Sequence, residues 1–159
     1  MPPLPDFILP AWISHVGRRL PALPPRLVLV HTLNLMLKRG VLPADMSLFA
    51  GRHFEIAVLD AGIIIRFGAN AERFVASHFH HEPDLRLAAN SVDYLRMMLR
   101  EEDPDTLFFR RKLHIEGDTE LGLVTKNLLD CVDWRCWQAF LPAPLRRLAE
   151  MRGRPEIFS

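Results

Sequence analysis

Cysteine is scarce in this chain, tyrosine is scarcer, and long apolar runs are missing. Two cysteines, Cys131 and Cys136, stand among 159 residues. Their five-residue spacing, beside Trp134 and Trp137, fits no zinc or thiol-redox signature, and two thiols cannot staple a secreted domain. A reducing cytoplasm is the expected home. No stretch approaches the ~20 apolar residues that a membrane span requires. Charge of one sign is lacking too: the formal net charge is +1, which provides no global field for nucleic acid, and no nucleic-acid partner is expected. Walker loops, GxGxxG, GxSxG, HExxH and CxxC are all absent. The start, MPPLPDFILPAW, lacks a basic n-region, and the end, PEIFS, carries no retention or peroxisomal address.

What is present is ordinary globular material, 49% hydrophobic and 25% charged, enough for one domain with short extensions. Three segments are expected. Residues 1–24 form a proline-rich arm, residues 25–140 a folded domain, and residues 141–159 a tail with a short amphipathic helix in APLRRLAEMRGR. Two readings of the arm stay open. It packs on its own domain or on a second subunit in a homodimer, or it is an interfacial anchor. In the anchor, Phe7, Ile8 and Trp12 would sit at headgroup level while Arg18 and Arg19 face anionic lipid.

Pro24 and Pro25 open RLVLVHTLNLMLKRG and Gly40 closes it, the usual arrangement at helix ends. Apolar residues cover most of its circumference, so burial on more than one side is expected. A short helix is expected in PADMSLFAG. HFEIAVLDAGIIIRFGAN reads as a hairpin turning at Asp60-Ala61-Gly62, with Phe54, Ile56 and Val58 on one face and Ile63, Ile65 and Phe67 on one face of the return. ERFVASHF and DLRLAAN read as two further strands, and the lack of helical crossovers argues for an antiparallel sheet. Ser91 is the expected N-cap of SVDYLRMMLREE, Asp103-Pro104 begins DPDTLFF, KLHIEG is a fifth strand, and Asp118 caps TELGLVTKNLLD.

Catalytic chemistry is hard to find. Glu101-Glu102-Asp103 reads as a solvated run of charge. In SHFHHEPD, His78 and His80 would share a strand face and could hold a metal, but His81 would point away and no second cluster completes the set. His114 is a lone strand histidine. No catalytic residue, metal or cofactor is assigned. The remaining feature is an apolar surplus, with Met97, Met98, Phe108 and Phe109 close together. Such side chains serve either as plain core or as an adaptable lipid cavity.

One string discriminates between these readings. Phe108 or Phe109, then Lys112, then Ile115-Glu116-Gly117-Asp118 and an apolar helix resemble the sterol carrier protein type 2 lipid-binding domain. The order of elements agrees across about residues 25–134, most sharply at 106–134. LFFRRKLHIEGDTELGLVTKNLLD followed by Asp133-Trp134, together with RLPALPPRLVLVHTLN, is similar to a bacterial branch of accessory factors for oxygen-independent ubiquinone biosynthesis. The resemblance implies an α+β fold: a five-stranded, mainly antiparallel sheet covered by helices around an apolar tunnel. It implies a non-enzymatic role, with a prenylated quinone precursor or phospholipid as cargo. The implied partners are iron–sulfur, peptidase-like proteins of ubiquinone hydroxylation, at a cytoplasmic location peripheral to the inner membrane. The expected lipid-lining residues are Phe54, Ile56, Ile63, Ile65, Leu95, Met98, Leu99, Phe108, Leu121, Val124 and Leu128.

Overall fold

The computed structural model describes residues 4–19, 23–43, 45–132 and 147. The helices are α1 (Ala11–Arg19), α2 (Leu23–Lys38), α3 (Met46–Phe49), α4 (Ser91–Met98), α5 (Pro104–Phe109) and α6 (Thr119–Cys131). The strands are β1 (His53–Val58), β2 (Ile63–Ala69), β3 (Phe74–Val75), β4 (Leu85–Ala89) and β5 (His114–Gly117), in the sheet order β3-β2-β1-β4-β5. Pairing is antiparallel except between β1 and β4, which run parallel. The sheet is thus mainly antiparallel, as expected, and its one parallel pair arises because the connection from β1 to β4 runs through β2, β3 and a loop instead of a helix. The expected tail helix, Arg147 apart, and Trp134, Cys136 and Trp137 lie outside the described residues.

Short-range chemistry sets most boundaries. Asp103 and Asp118 cap α5 and α6, their carboxylates accepting from Thr106 N and Leu121 N, as short acceptors do at helix starts. Asp45 does the same for α3. Gly62 closes the β1–β2 hairpin at φ 65°, a conformation that glycine adopts without a Cβ clash.

Three expectations change. ERFVASHF pairs only through Phe74 and Val75; beyond them the chain leaves the ladder, and Phe79 packs over the Arg66 guanidinium and edge-on to His53. Ser91 is not the N-cap of α4. Asn90 holds that place without a side-chain bond, and the Asp60 carboxylate accepts from Ser91 N at 2.8 Å and Ser91 Oγ at 2.7 Å. The helix α2 is open on one side, where Leu27 and Val28 are exposed.

The two sheet faces differ completely. Register places Phe54, Ile56 and Val58 opposite Phe67, Ile65 and Ile63, and beside Leu85, Leu87 and Ala89. Ile115 follows opposite Leu87. This face is wholly apolar. The other carries a ladder of charge: Arg66 Nε and Arg86 Nε each donate to Glu55 at 2.8 Å, and Arg86 Nη1 reaches Glu116 at 3.4 Å. Glu55 is buried between its two guanidiniums, which a carboxylate tolerates only when fully paired.

Candidate functional site: an apolar sheet face between two helices

The apolar face is covered from its edges. At one side α2 lies on β2 and β3. Asn34 fastens it there, its Nδ2 donating to Phe74 O at 2.8 Å and its Oδ1 accepting from Phe74 N at 2.9 Å. At the other side α6 packs on β5, where a Cβ on Gly122 would meet Ile115 at 3.3 Å and Leu85 at 3.5 Å. Under the α2 side the rings fill space: Phe54 stacks on Phe67 at 5.4 Å, and Phe49 and Phe74 close the cluster at 5.8 and 5.9 Å from Phe54 and Phe67. Along the middle, Ile56 and its partner Ile65 stay partly accessible, as do Leu33 and Leu37 of α2 and Val124 and Leu128 of α6. The result is an apolar strip whose ring-filled end is buried and whose middle residues are partly buried against the same core.

Most of the residues expected to line a cavity converge here. Phe54, Ile56, Ile65, Met98, Leu99, Leu121, Val124 and Leu128 belong to one cluster. Ile63 shares the face but lies at the hairpin end, 3.3 Å from where a Cβ on Gly17 of α1 would stand. Leu95 is half-buried on α4. Phe108 sits elsewhere. It lines a surface depression of about 240 Å³ with Ile115, Gly122 and Leu123, its ring 5.9 Å beneath Lys126 Nζ. Sequence reasoning missed Leu29, Val30, Leu33, Met36 and Leu37, because α2 is apolar almost all round and no face stood out. Leu85, Leu87 and Ile115 were readable as strand positions whose register was unknown.

The arm is tied down. Arg96, buried on α4, donates to Leu4 O at 2.7 Å and pairs with Asp6 at 2.8 Å. Leu9 N donates to Asp60 at 3.2 Å. The expected membrane-contact residues divide accordingly: Phe7 is half-buried, while Ile8, Trp12, Arg18 and Arg19 are exposed. Burial pushes the Asp93 carboxyl up, against the pull of Lys112 and Arg96, and the Arg96 guanidinium beside Asp6 holds that exposed carboxyl below its ordinary value.

The histidine loop holds no metal set. His78 and His80 lie beyond β3, their rings edge-on at 4.7 Å, while His81 turns to meet His53 at 4.7 Å. Among the described residues no three His, Cys, Asp or Glu side chains gather around one point. No described helix is long and apolar enough to cross a membrane.

The sequence matches the SCP-2 sterol transfer family over residues 33–130, more than half of the chain. The chain belongs to that family. It is 32% identical over 157 residues to the ubiquinone biosynthesis accessory factor UbiT of Escherichia coli K12, covering 91% of this chain and 90% of that protein. The UbiT of Escherichia coli O157:H7 matches equally. Among solved structures, the UbiJ-SCP2 ubiquinone synthesis protein superposes with a TM-score of 0.55 at 16% identity, covering 70% of this chain and 94% of that one. The expected sterol-carrier-like fold is thus borne out.

Proposed function

We propose that this protein is a lipid-binding accessory factor of oxygen-independent ubiquinone biosynthesis. It holds a prenylated quinone precursor or a phospholipid on the apolar sheet face and presents it to the iron–sulfur hydroxylation proteins. Membership of the SCP-2 family and the similarity to UbiT support this reading. The observation that supports it is the wholly apolar sheet face around Ile56 and Ile65, whose side chains are only partly buried. No covalent step is required. About ten methylenes removed from water, at about 0.8 kcal/mol each, yield about 8 kcal/mol before ordering costs. That is the scale of a micromolar carrier. The strip is too short for a long polyprenyl chain, so part of the tail protrudes or stays in the membrane. The proposed membrane contact is the outer side of α1, through Ile8 and Trp12 with Arg18 and Arg19.

The Phe49, Phe54, Phe67 and Phe74 cluster favours a second reading, a filled fold that only scaffolds partner enzymes. Val124→Phe separates the two. Val124 is only half-buried, so the substitution should fold, fill the centre of the strip and lower lipid affinity by about ten-fold or more. Lipid co-purification and titration, with the unfolding transition as control, read the result. Undiminished lipid binding in the variant would move the lipid off this strip, and an apo wild type that takes up no lipid would favour the scaffold.

A further inference from the structure

Arg26 stands in the first turn of α2 with only 6% of its surface exposed. Its Nη2 lies 3.3 Å from His78 Nδ1, and its buried Nε has no hydrogen-bond partner. Among the described residues no acidic side chain pairs with it. The other buried arginine, Arg96, is paired with Asp6 and Asp93, and the sheet arginines Arg66 and Arg86 share Glu55. Burying a guanidinium with an unpaired donor is unfavourable unless an anion completes it.

The surroundings point the same way. The first turn of α2 holds no acidic residue, so the positive dipole end of a 16-residue helix adds to the same potential, while Pro24 and Pro25 offer no N–H donors to compete for the anion. Leu29, Val30, Leu33 and Leu37 follow Arg26 at i+3, i+4, i+7 and i+11, the spacing of one helical face. All four pack into the cluster on the apolar sheet face. Arg26 therefore ends a greasy stripe with a cation. His78 and His80, both exposed, leave the approach from solvent polar.

We propose that Arg26, with His78 beside it, recognises the anionic headgroup of an amphipathic lipid, a phosphate or carboxylate whose tail lies along the α2 stripe toward Ile65. This rests on the lipid-binding reading above and assigns its polar end. A planar guanidinium fork matches both anions with two parallel hydrogen bonds, which an ammonium cannot do.

The test uses the full chain and two probes with the same acyl tail, oleoyl lysophosphatidate and mono-oleoylglycerol, with inorganic phosphate as a third. Wild type should prefer the lysophosphatidate by about ten-fold or more, the effect of one charge-assisted hydrogen bond. Arg26→Gln should erase that preference and leave mono-oleoylglycerol affinity unchanged. Arg26→Lys, which keeps the charge and loses the fork, should fall between, and it decides the matter if Arg26→Gln fails to fold. Equal wild-type affinity for the two lipids, or a preference untouched in the variants, overturns the headgroup assignment while the apolar strip stands. Binding of inorganic phosphate that needs Arg26 and gains nothing from the acyl chain also overturns it, in favour of a free-anion site. If neither lipid binds wild type, the lipid-binding reading itself has failed.

Discussion

Asp60 joins three stretches that are distant in sequence. It lies in the hairpin turn, takes two hydrogen bonds from Ser91 at the start of α4, and takes one from Leu9 of the arm. Burial works to raise its pKa, but the hydrogen bonds from Ser91 and Leu9 outweigh it and hold the carboxyl below the ordinary aspartate value. A carboxyl depressed on folding contributes stability in full above its unfolded pKa of about 3.9 and loses it as pH falls through the folded value. Asp60→Asn should therefore destabilise the protein at pH 7 by about 1–3 kcal/mol. The gap from wild type should narrow progressively below about pH 4. Urea midpoints of both proteins at pH 7 and across pH 2–4 read this directly. A gap that stays constant with pH would mean that the charge of Asp60 contributes nothing.

At the scale of elements, α1 is held by close backbone approach. A Cβ on Gly17 would collide with the carbonyl oxygen of Ala61, and one on Gly62 would stand 2.6 Å from Ser14 O. Both obstacles are backbone atoms, which cannot swing aside. Gly17→Ala should push α1 off the hairpin, raise hydrogen exchange across residues 11–19, and cost about 1–2 kcal/mol of global stability. Unchanged protection there would show that α1 docks through other contacts. This contact illustrates what the sequence could and could not convey. Asp103 and Asp118 act on amide groups three residues ahead, so those caps were legible, as was the alternation of Ile56 and Ile65. Asp60 acts on Ser91 across 31 positions, and Gly17 meets a hairpin far along the chain, so neither left a local pattern. ERFVASHF had strand composition, but Phe79 finds Arg66 and His53 instead of a ladder partner. Arg26 carried no signal in the sequence, because only the assembled fold shows it buried without a carboxylate among the described residues.

For the whole molecule, the proposed membrane contact is the exposed apolar surface near the hairpin. Ile8, Trp12 and Val16 are exposed, and so are Leu59 and Ile64 on the hairpin against which α1 packs. Arg18 and Arg19 lie in the last turn of the same helix. The proposed membrane contact therefore combines an exposed apolar ridge with two cations on one helix. Deleting the arm would be a poor test, since it would also strip Arg96 and Asp60 of their bonds to Leu4, Asp6 and Leu9. The paired substitution Trp12→Ser and Val16→Ser leaves those bonds in place. It should lower partitioning onto anionic vesicles by about ten-fold or more, given about 1.5–3 kcal/mol for each large side chain fully buried. Partitioning onto neutral vesicles should be weaker in both proteins, and added salt should weaken anionic binding through Arg18 and Arg19. Sedimentation with vesicles of each composition measures all of these. Equal partitioning of variant and wild type would place the membrane-facing surface elsewhere on the molecule.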